Sequence, residues 1–347
     1  MAAYGALGML VRGLALAVAA ALLLVALLTT TGQSPGAALT ALWRGALGSI
    51  DALVSATLVR ATPLVLAGLA VALAFRAGVL NVGAEGQLLA GASAAAAAGG
   101  FLAPWLGGST VLAALVAGAG AGAAWAGIAG WLRRRFGVLE VISTIMLNFV
   151  ALYATGYLVR GPLQEPTRVY PQSVTLPLGA RLPLLVPGSR LHVGFALAVV
   201  AAVVLWWMLR ETAAGFRVRA VGMNANAAAS AGLVDVPRVT GRAFLASGAL
   251  AGLAGAVEVT GVTFAIYENL SPGYGYTAIA VALLANLHPL GVVATGVLFG
   301  ALEAGASAMQ RDAGVPATTV GVVEALLILL VLAADRAWTT RRTQSGT

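Results

Sequence analysis

Three polar side chains, Asn81, Glu85 and Gln87, lie close together in a chain that is otherwise strongly apolar. Groups of this kind are costly in hydrocarbon, so they are normally found beside water, a polar ligand or one another. Asn81 is also a natural N-cap, and Glu85 would then stand in the first turn of the helix that follows. The segment therefore predicts either a polar path through an apolar body or the capped start of a helix.

Four more residues are expected to face the same path: Asn148, Tyr274, Tyr276 and Asn286. Asn148 lies deep within an apolar run, and the other three flank a second interruption near residues 271–287. Amides hydrogen-bond polar solutes and aromatic rings stack on planar ones. Asparagine also ties helices together, however, and tyrosine also anchors helices at a membrane boundary.

The composition excludes several kinds of chemistry. The chain has no lysine, so it holds no phosphate-binding loop that ends in Gly-Lys-Ser/Thr and does not hydrolyse ATP through one. It has no cysteine, which leaves only His192 and His288 as strong ligands for a transition metal. We therefore expect no bound cofactor, no metal and no catalytic residue in this chain.

The whole chain is too apolar for a water-soluble protein. Of its 347 residues, 60% are hydrophobic and 9% are charged, whereas soluble domains carry about 25% charged residues. A spanning helix needs about 20 apolar residues. The apolar runs predict an all-α, polytopic bundle in the lipid bilayer with about ten spans, near 14–30, 61–74, 82–101, 109–131, 138–159, 191–209, 243–261, 275–287, 290–308 and 317–334. Eight spans plus re-entrant segments are the alternative.

The arginines predict the orientation of this bundle. The net charge is +8, but the arginines punctuate apolar runs, which favours a role in topology over nucleic-acid binding. With the N-terminus inside, all arginines are cytoplasmic except seven: Arg44, Arg60, Arg160, Arg168, Arg181, Arg190 and Arg311. Both termini are therefore expected in the cytoplasm.

We expect a single membrane domain over residues 1–347. Its parts are a cytoplasmic N-terminus (1–13), a bundle (14–334) and a cytoplasmic tail (335–347). The bundle has outside loops at 31–60 and 160–190 and a cytoplasmic loop at 210–242. The 31–60 loop is expected to hold an interfacial helix around Trp43, and the proline-rich 160–190 segment is expected to form a docking rim.

Two predicted spans, 61–74 and 275–287, are too short to cross the bilayer unaided. Both adjoin polar interruptions, and the pentapeptide LAGLA occurs before each, at Leu66–Ala70 and Leu250–Ala254. Broken helices at corresponding places in two halves indicate a transport site, because irregular backbone is tolerated at depth only where it lines protein or water.

The loop at 210–242 contains a short helix pattern. Asn224 is a natural N-cap, alanines follow it, and Gly232 is a natural stop. A helix of about seven residues is unstable alone and must pack on something. Its partner is either the rest of this chain or a groove on a cytoplasmic protein, with Arg217 and Arg219 beside it.

Four ordered segments resemble the permease subunits of bacterial ABC importers, in the branch that transports simple sugars and nucleosides. They read FRAGVLNVGAEGQ, GVLEVISTIMLNFVALY, RAVGMNANAAASAGL and SPGYGYTAIAVALLANLHPLG. The resemblance implies that the third segment docks on a cytoplasmic ABC ATPase through Arg217, Arg219, Asn224, Asn226, Ala227, Ala228 and Gly232.

The resemblance implies further partners and a function. Besides the ATPase, which would use ATP and Mg²⁺, it implies a second permease subunit and an extracytoplasmic solute-binding lipoprotein in the bacterial plasma membrane. Nucleosides are the expected solute and a simple sugar is the alternative. Leu139 and Ala225 depart from the branch's usual asparagine and proline. The resemblance therefore indicates the family more firmly than it indicates the solute.

Other assignments are possible for several residues. An ion- or proton-coupled transporter would use Glu85, Glu258 or Glu303 as a relay, and Glu324 is another acid within an apolar run. Glu140 is expected to pair with the arginines at 133–135. The triplet Gly118, Gly120, Gly122 is expected to serve close helix packing and not nucleotide binding.

Overall fold

The structure, a computed structural model, describes residues 34–316 except residue 233, together with residues 18, 22, 25, 26, 28, 29, 32, 318, 319, 321, 322 and 325. Within that part of the chain the regular structure is helical, and extended pairing is limited to three isolated bridges such as Gln172 with Tyr267. The all-α prediction is therefore confirmed for the described residues.

The described α-helices are numbered here in chain order: α1 Pro35–Ala46, α2 Leu58–Arg76, α3 Ala84–Leu106, α4 Thr110–Phe136, α5 Glu140–Arg160, α6 Gly194–Glu211, α7 Ala213–Met223, α8 Ala225–Ser230, α9 Val236–Glu258, α10 Tyr274–Leu284 and α11 Pro289–Ala313. Single π-helical turns precede α2 (Ala52–Thr57) and follow α9 (Val259–Thr263), and short 3₁₀ turns lie at Gly107–Ser109 and Leu178–Ala180.

Six helical stretches among the described residues are long and apolar enough to cross a membrane. One of them, Ala84–Phe136, contains both α3 and α4. The expectation that 61–74 is a short span was wrong, because the helix continues in both directions and the apolar stretch runs from Ala52 to Arg76. The 275–287 span is indeed short, since α10 has 11 residues. Most residues of the predicted spans 14–30 and 317–334 lie outside the described part of the chain.

The chain divides into two compact units, residues 58–300 and residues 1–57 with 301–347. In the second of these, the described part of the core contains Leu28, Ala38, Ala41, Met309 and Val315. Trp43 lies on α1 and is largely exposed. The prediction of a helix around Trp43 is therefore confirmed.

The 58–300 unit is built around the packing of α3, α4 and α9 through glycine. A Cβ on Gly122 of α4 would collide with the backbone of Gly248 and Gly252 of α9, and one on Gly118 would meet the side chain of Ala256. Gly120 faces open space. Close packing, expected for all three glycines of the triplet, is thus confirmed at Gly118 and Gly122 but not at Gly120.

The proline-rich segment at 160–190 is tied to the chain beyond α9. The amides of Ser173, Leu176 and Leu182 donate to the carbonyls of residues 266, 264 and 260 at 2.7–2.9 Å. Arg160 forms two hydrogen bonds with the Glu268 carboxylate, at 2.6 and 2.8 Å, and this partner holds the pKa of Glu268 below its usual value. The segment is therefore a folded cap on one end of the unit.

The packing of α4 on α9 generates a prediction about stability. Gly122→Ala should lower the free energy of unfolding by about 1–3 kcal/mol, because its methyl group displaces the α9 backbone. Gly120→Ala is the matched control, since it lies on the same helix and gains the same helix propensity without a clash. Thermal unfolding of the purified proteins in detergent measures both. Equal melting temperatures for the two variants would contradict this account of the packing.

Candidate functional site

The first turns of two helices meet inside the 58–300 unit. The Glu85 carboxylate, in the first turn of α3, accepts a hydrogen bond of 2.7 Å from the backbone amide of Gly275, in the first turn of α10. A Cβ on Gly275 would overlap the backbone of Ala84 and Glu85, so the approach requires glycine. The two helices therefore begin at one point.

This junction places an acidic side chain at two positive helix ends. The N-terminus of a helix carries unpaired amides and about half a positive charge, which an acidic side chain neutralises. Glu85 stands in that position for its own helix and for α10. The Ser271 hydroxyl also hydrogen-bonds Glu85 and accepts from the amides of Gly273 and Tyr274. The carboxylate and the hydroxyl together cap α10.

Asn81 and Gln87 form a second buried group beside the junction. Their side-chain amides exchange two hydrogen bonds of 2.9 Å, and Asn81 also donates to Ser247 and accepts from the Gly83 amide. The Ser247 hydroxyl in turn donates a hydrogen bond of 2.6 Å to the carbonyl of Ala70. All four hydrogen-bonding positions of the Asn81 side chain are used, so this group joins α2, α3 and α9 within the core.

Asn148 of α5 connects the junction to Tyr276. Its oxygen accepts from the amide of Gly86 at 2.8 Å, and its nitrogen donates to the Val82 carbonyl and, at 3.3 Å, to the Tyr276 hydroxyl. Asn148 is therefore the side chain that satisfies an unpaired amide at the start of α3. Tyr276 is held by its hydroxyl while 44% of the residue stays exposed.

The alternative in which Asn81 is the N-cap of the 82–101 helix was wrong. The helix begins at Ala84 with Gly83 in the cap position, and no side chain caps it from there. The Asn81 side chain binds the Gly83 amide in a turn before the helix. Capping is supplied from other parts of the chain, which the local sequence does not reveal.

The junction lies well inside the apolar bundle. Asn148 is eight residues from the start of α5 and Ser247 is 11 residues from the start of α9; these separations correspond to about 12 and 16 Å along the helices. Asn81, Glu85, Gln87, Asn148 and Tyr274 are all buried there. The sequence therefore singled out residues that lie close together in the structure.

Asn286 lies away from the junction, beyond the C-terminal end of α10. It is about 18 Å from Tyr274 along the helix axis. It is exposed, and its backbone carbonyl accepts from Arg76 at 3.2 Å, while the Leu287 carbonyl accepts from the same guanidinium at 3.1 Å. Arg76 thus caps the C-terminal end of α10, where a positive charge is favourable. The sequence did not indicate this role for Arg76.

The short helix predicted in the 210–242 loop is present as α8. The Asn224 side chain caps it by accepting from the Ala227 amide at 3.0 Å, and Gly232 follows it with a positive φ of 68°. Asn226 and Ala227 are exposed. Ala228 is only 8% exposed and faces this chain.

The preceding helix, α7, contacts the turn that leads to the junction. A Cβ on Gly222 would collide with the carbonyl of Arg76, and the Cα of Gly222 lies close to Gly78. Arg217 and Arg219 both lie on α7. Arg217 is exposed, whereas Arg219 is partly buried and close enough to Arg76 to repel its charge. Met223, the last residue of α7, is 87% exposed. Gly222 and Met223 were not singled out from the sequence.

The remaining acids and histidines are distributed over the unit. Glu140 pairs with Arg133 at 2.8 Å, which confirms that prediction. Glu258 is buried, and the positive charges of Arg60 and Arg190 are close enough to attract its carboxylate. Glu324 lies outside the described residues. His192 is buried with its Nδ1 accepting from the Gly194 amide. No group of three or more metal-binding side chains occurs among the described residues.

Helices that begin deep within an apolar bundle, with their N-termini facing one another, are typical of polytopic membrane transport proteins. Residues 53–332 match the family described as "Branched-chain amino acid transport system / permease component". The chain belongs to this family, and it is an ABC transporter permease embedded in a membrane.

Several named proteins are similar to this chain over most of its length. The guanosine ABC transporter permease protein NupP of Bacillus subtilis is 40% identical and covers 88% of each chain. The glucose permease protein TsgB13 of Haloferax volcanii is 39% identical, over 80% of this chain and 75% of its own. The nucleoside permease protein NupB of Lactococcus lactis is 31% identical, over 84% of this chain and 81% of its own. No solved structure shows detectable similarity.

The contact between Glu85 and Gly275 generates a second prediction. Glu85→Leu should destabilise the protein by about 1–3 kcal/mol and reduce transport, because the buried Gly275 amide loses its acceptor. Glu85→Gln keeps a side-chain oxygen at that position and should recover most of the stability. Thermal unfolding in detergent and solute uptake in cells measure the two effects. If glutamine were as harmful as leucine, the charge and not the hydrogen bond would be the essential property.

Proposed function

We propose that this chain is the permease subunit of an ATP-driven importer for nucleosides. The observation that carries the proposal is the junction of α3 and α10, where two helices start within the bundle around one carboxylate. Such a junction can form or separate as neighbouring helices move, because only hydrogen bonds and close packing hold it. The chain itself catalyses no bond change and would move solute by rigid-body rearrangement of its helices.

Tyr276 is proposed to contact the solute. Its hydroxyl is fixed by Asn148, and its exposed ring is one turn or less from the junction. A planar ring of this kind can stack on a nucleobase. The permeases named for guanosine and for nucleosides support this assignment, and the one named for glucose supports a sugar as the second candidate.

The α7–α8 segment is proposed to couple the permease to its ATPase. Asn226, Ala227 and Met223 are exposed and are proposed to contact the partner. Ala228 faces inward, so we assign it to positioning α8, together with Asn224 and Gly232. A displacement of α8 would be transmitted toward the junction through Gly222, which packs against the backbone of Arg76. Arg76 in turn holds the far end of α10.

The proposed assembly has three further members: a cytoplasmic ABC ATPase that uses ATP and Mg²⁺, a second permease subunit and a solute-binding lipoprotein outside the membrane. The 160–190 segment is proposed as the surface for the lipoprotein, because it is folded and presents exposed Val169, Tyr170 and Leu178. The bacterial plasma membrane is the proposed location, with both chain termini in the cytoplasm.

The coupling assignment predicts the effect of one exposed residue. Met223→Asp should weaken co-purification of the ATPase about tenfold, because an unpaired carboxylate in an apolar contact is costly and a loss of about 1.4 kcal/mol corresponds to a tenfold change. Leu178→Asp is the control, because Leu178 is equally exposed and apolar but lies in the 160–190 segment. Retention of the ATPase by Met223→Asp, or its loss from Leu178→Asp, would argue against this interface.

The solute is tested by uptake of labelled guanosine and labelled glucose into cells with and without this subunit. We expect guanosine uptake to depend on the subunit and on ATP. Tyr276→Leu should reduce uptake at least fivefold because stacking is lost, whereas Tyr276→Phe keeps the ring and should retain most of it. Glucose uptake alone would favour the sugar importer, and uptake that follows the proton gradient without ATPase would favour a coupled transporter.

A further inference from the structure

A cavity of about 280 Å³ opens beside α8. The C-terminal part of α4 and the first turns of α9 form two of its sides, the turn at residues 77–79 forms a third, and Val221 and Ala225 close it on the side of α7 and α8. It is therefore separate from the α3–α10 junction, although it borders the turn that leads there.

The lining of this cavity is amphipathic. Its apolar lining includes Phe244, Leu245, Gly127 and Gly130, and the side chains of Leu245 and Phe244 pack against the two glycines of α4. Leu245 is 41% exposed, so the apolar wall continues onto the outer surface of the helices. An occupant with an apolar portion would thus be in contact with apolar groups from the cavity to the surrounding hydrocarbon.

The mouth of the cavity is positively charged. Arg133 and Arg134 both line it, and Arg133 is neutralised by Glu140. Arg134 has no ion pair with any described residue, and its guanidinium lies over Gly241 at the start of α9. Two further arginines are adjacent in sequence: Arg135 follows Arg134, and Arg242 follows Gly241. One arginine at the mouth is therefore available to an anion from outside the chain.

We propose that this cavity binds an anionic phospholipid, with the phosphate at Arg134 and the start of an acyl chain against Phe244 and Leu245. A basic pocket between membrane helices at the level of the head groups is suited to such a lipid. The continuous apolar wall favours a lipid over a free phosphate, which would leave that wall in contact with water. The proposal depends neither on the solute nor on ATPase binding.

Native mass spectrometry of the full-length permease in mild detergent tests the proposal. Added phosphatidylglycerol should bind in preference to phosphatidylcholine with the same acyl chains. Arg134→Gln should lower the affinity for phosphatidylglycerol about fivefold, as expected for one basic residue near a lipid head group. Gly127→Leu fills the apolar part without changing a charge and should also weaken binding.

Arg210→Gln is the matched control, because it removes one arginine that pairs with Glu211 at the end of α6 and does not line the cavity. It should bind phosphatidylglycerol as the unaltered protein does. Equal loss in Arg210→Gln and Arg134→Gln, no loss in Arg134→Gln, or equal binding of the two lipids would overturn the proposal. Displacement of the lipid by millimolar glycerol phosphate would show a free-phosphate site and overturn it as well.

Discussion

The hydrogen bond from the Gly275 amide to the Glu85 carboxylate is the interaction on which the candidate site depends. Helix ends inside an apolar bundle carry unpaired amides that water cannot reach, and each needs a partner from the protein. The Glu85 carboxylate meets this need for α10, while it also stands in the first turn of α3. The glycine at position 275 allows the approach, because any Cβ there would occupy the space of the α3 backbone.

The same requirement explains the polar groups around that bond. Asn148 satisfies the Gly86 amide, and Asn81 with Gln87 and Ser247 forms a closed set of hydrogen bonds. Asn148 belongs to α5 and Ser247 to α9, so their bonds to the start of α3 also fix the position of one helix relative to another. A buried network that is fully satisfied makes a helix arrangement specific. Tyr276 differs because its ring remains exposed.

Close backbone contacts link this region to the loop that carries α8. Gly222 lies against Arg76, and Arg76 caps the end of α10. A displacement of α7 and α8 would therefore act on the turn before α3 and on the far end of α10 together. Both helices that meet at Glu85 are in this way connected to Arg76, α3 through the turn that leads to its start and α10 at its far end.

The sequence by itself determined the helical membrane class, the short α10 and the capped helix α8, because apolar run length, an N-cap asparagine and a stop glycine act locally. It also selected Asn81, Glu85, Gln87 and Asn148 as polar residues that needed an explanation. Only the tertiary structure decided their partners. Glu85 contacts Gly275 across 190 positions, and Asn81 contacts Ser247 across 166; contacts so distant in sequence are set by helix packing. The close approach of α4 to α9 through Gly122 depended on packing in the same way.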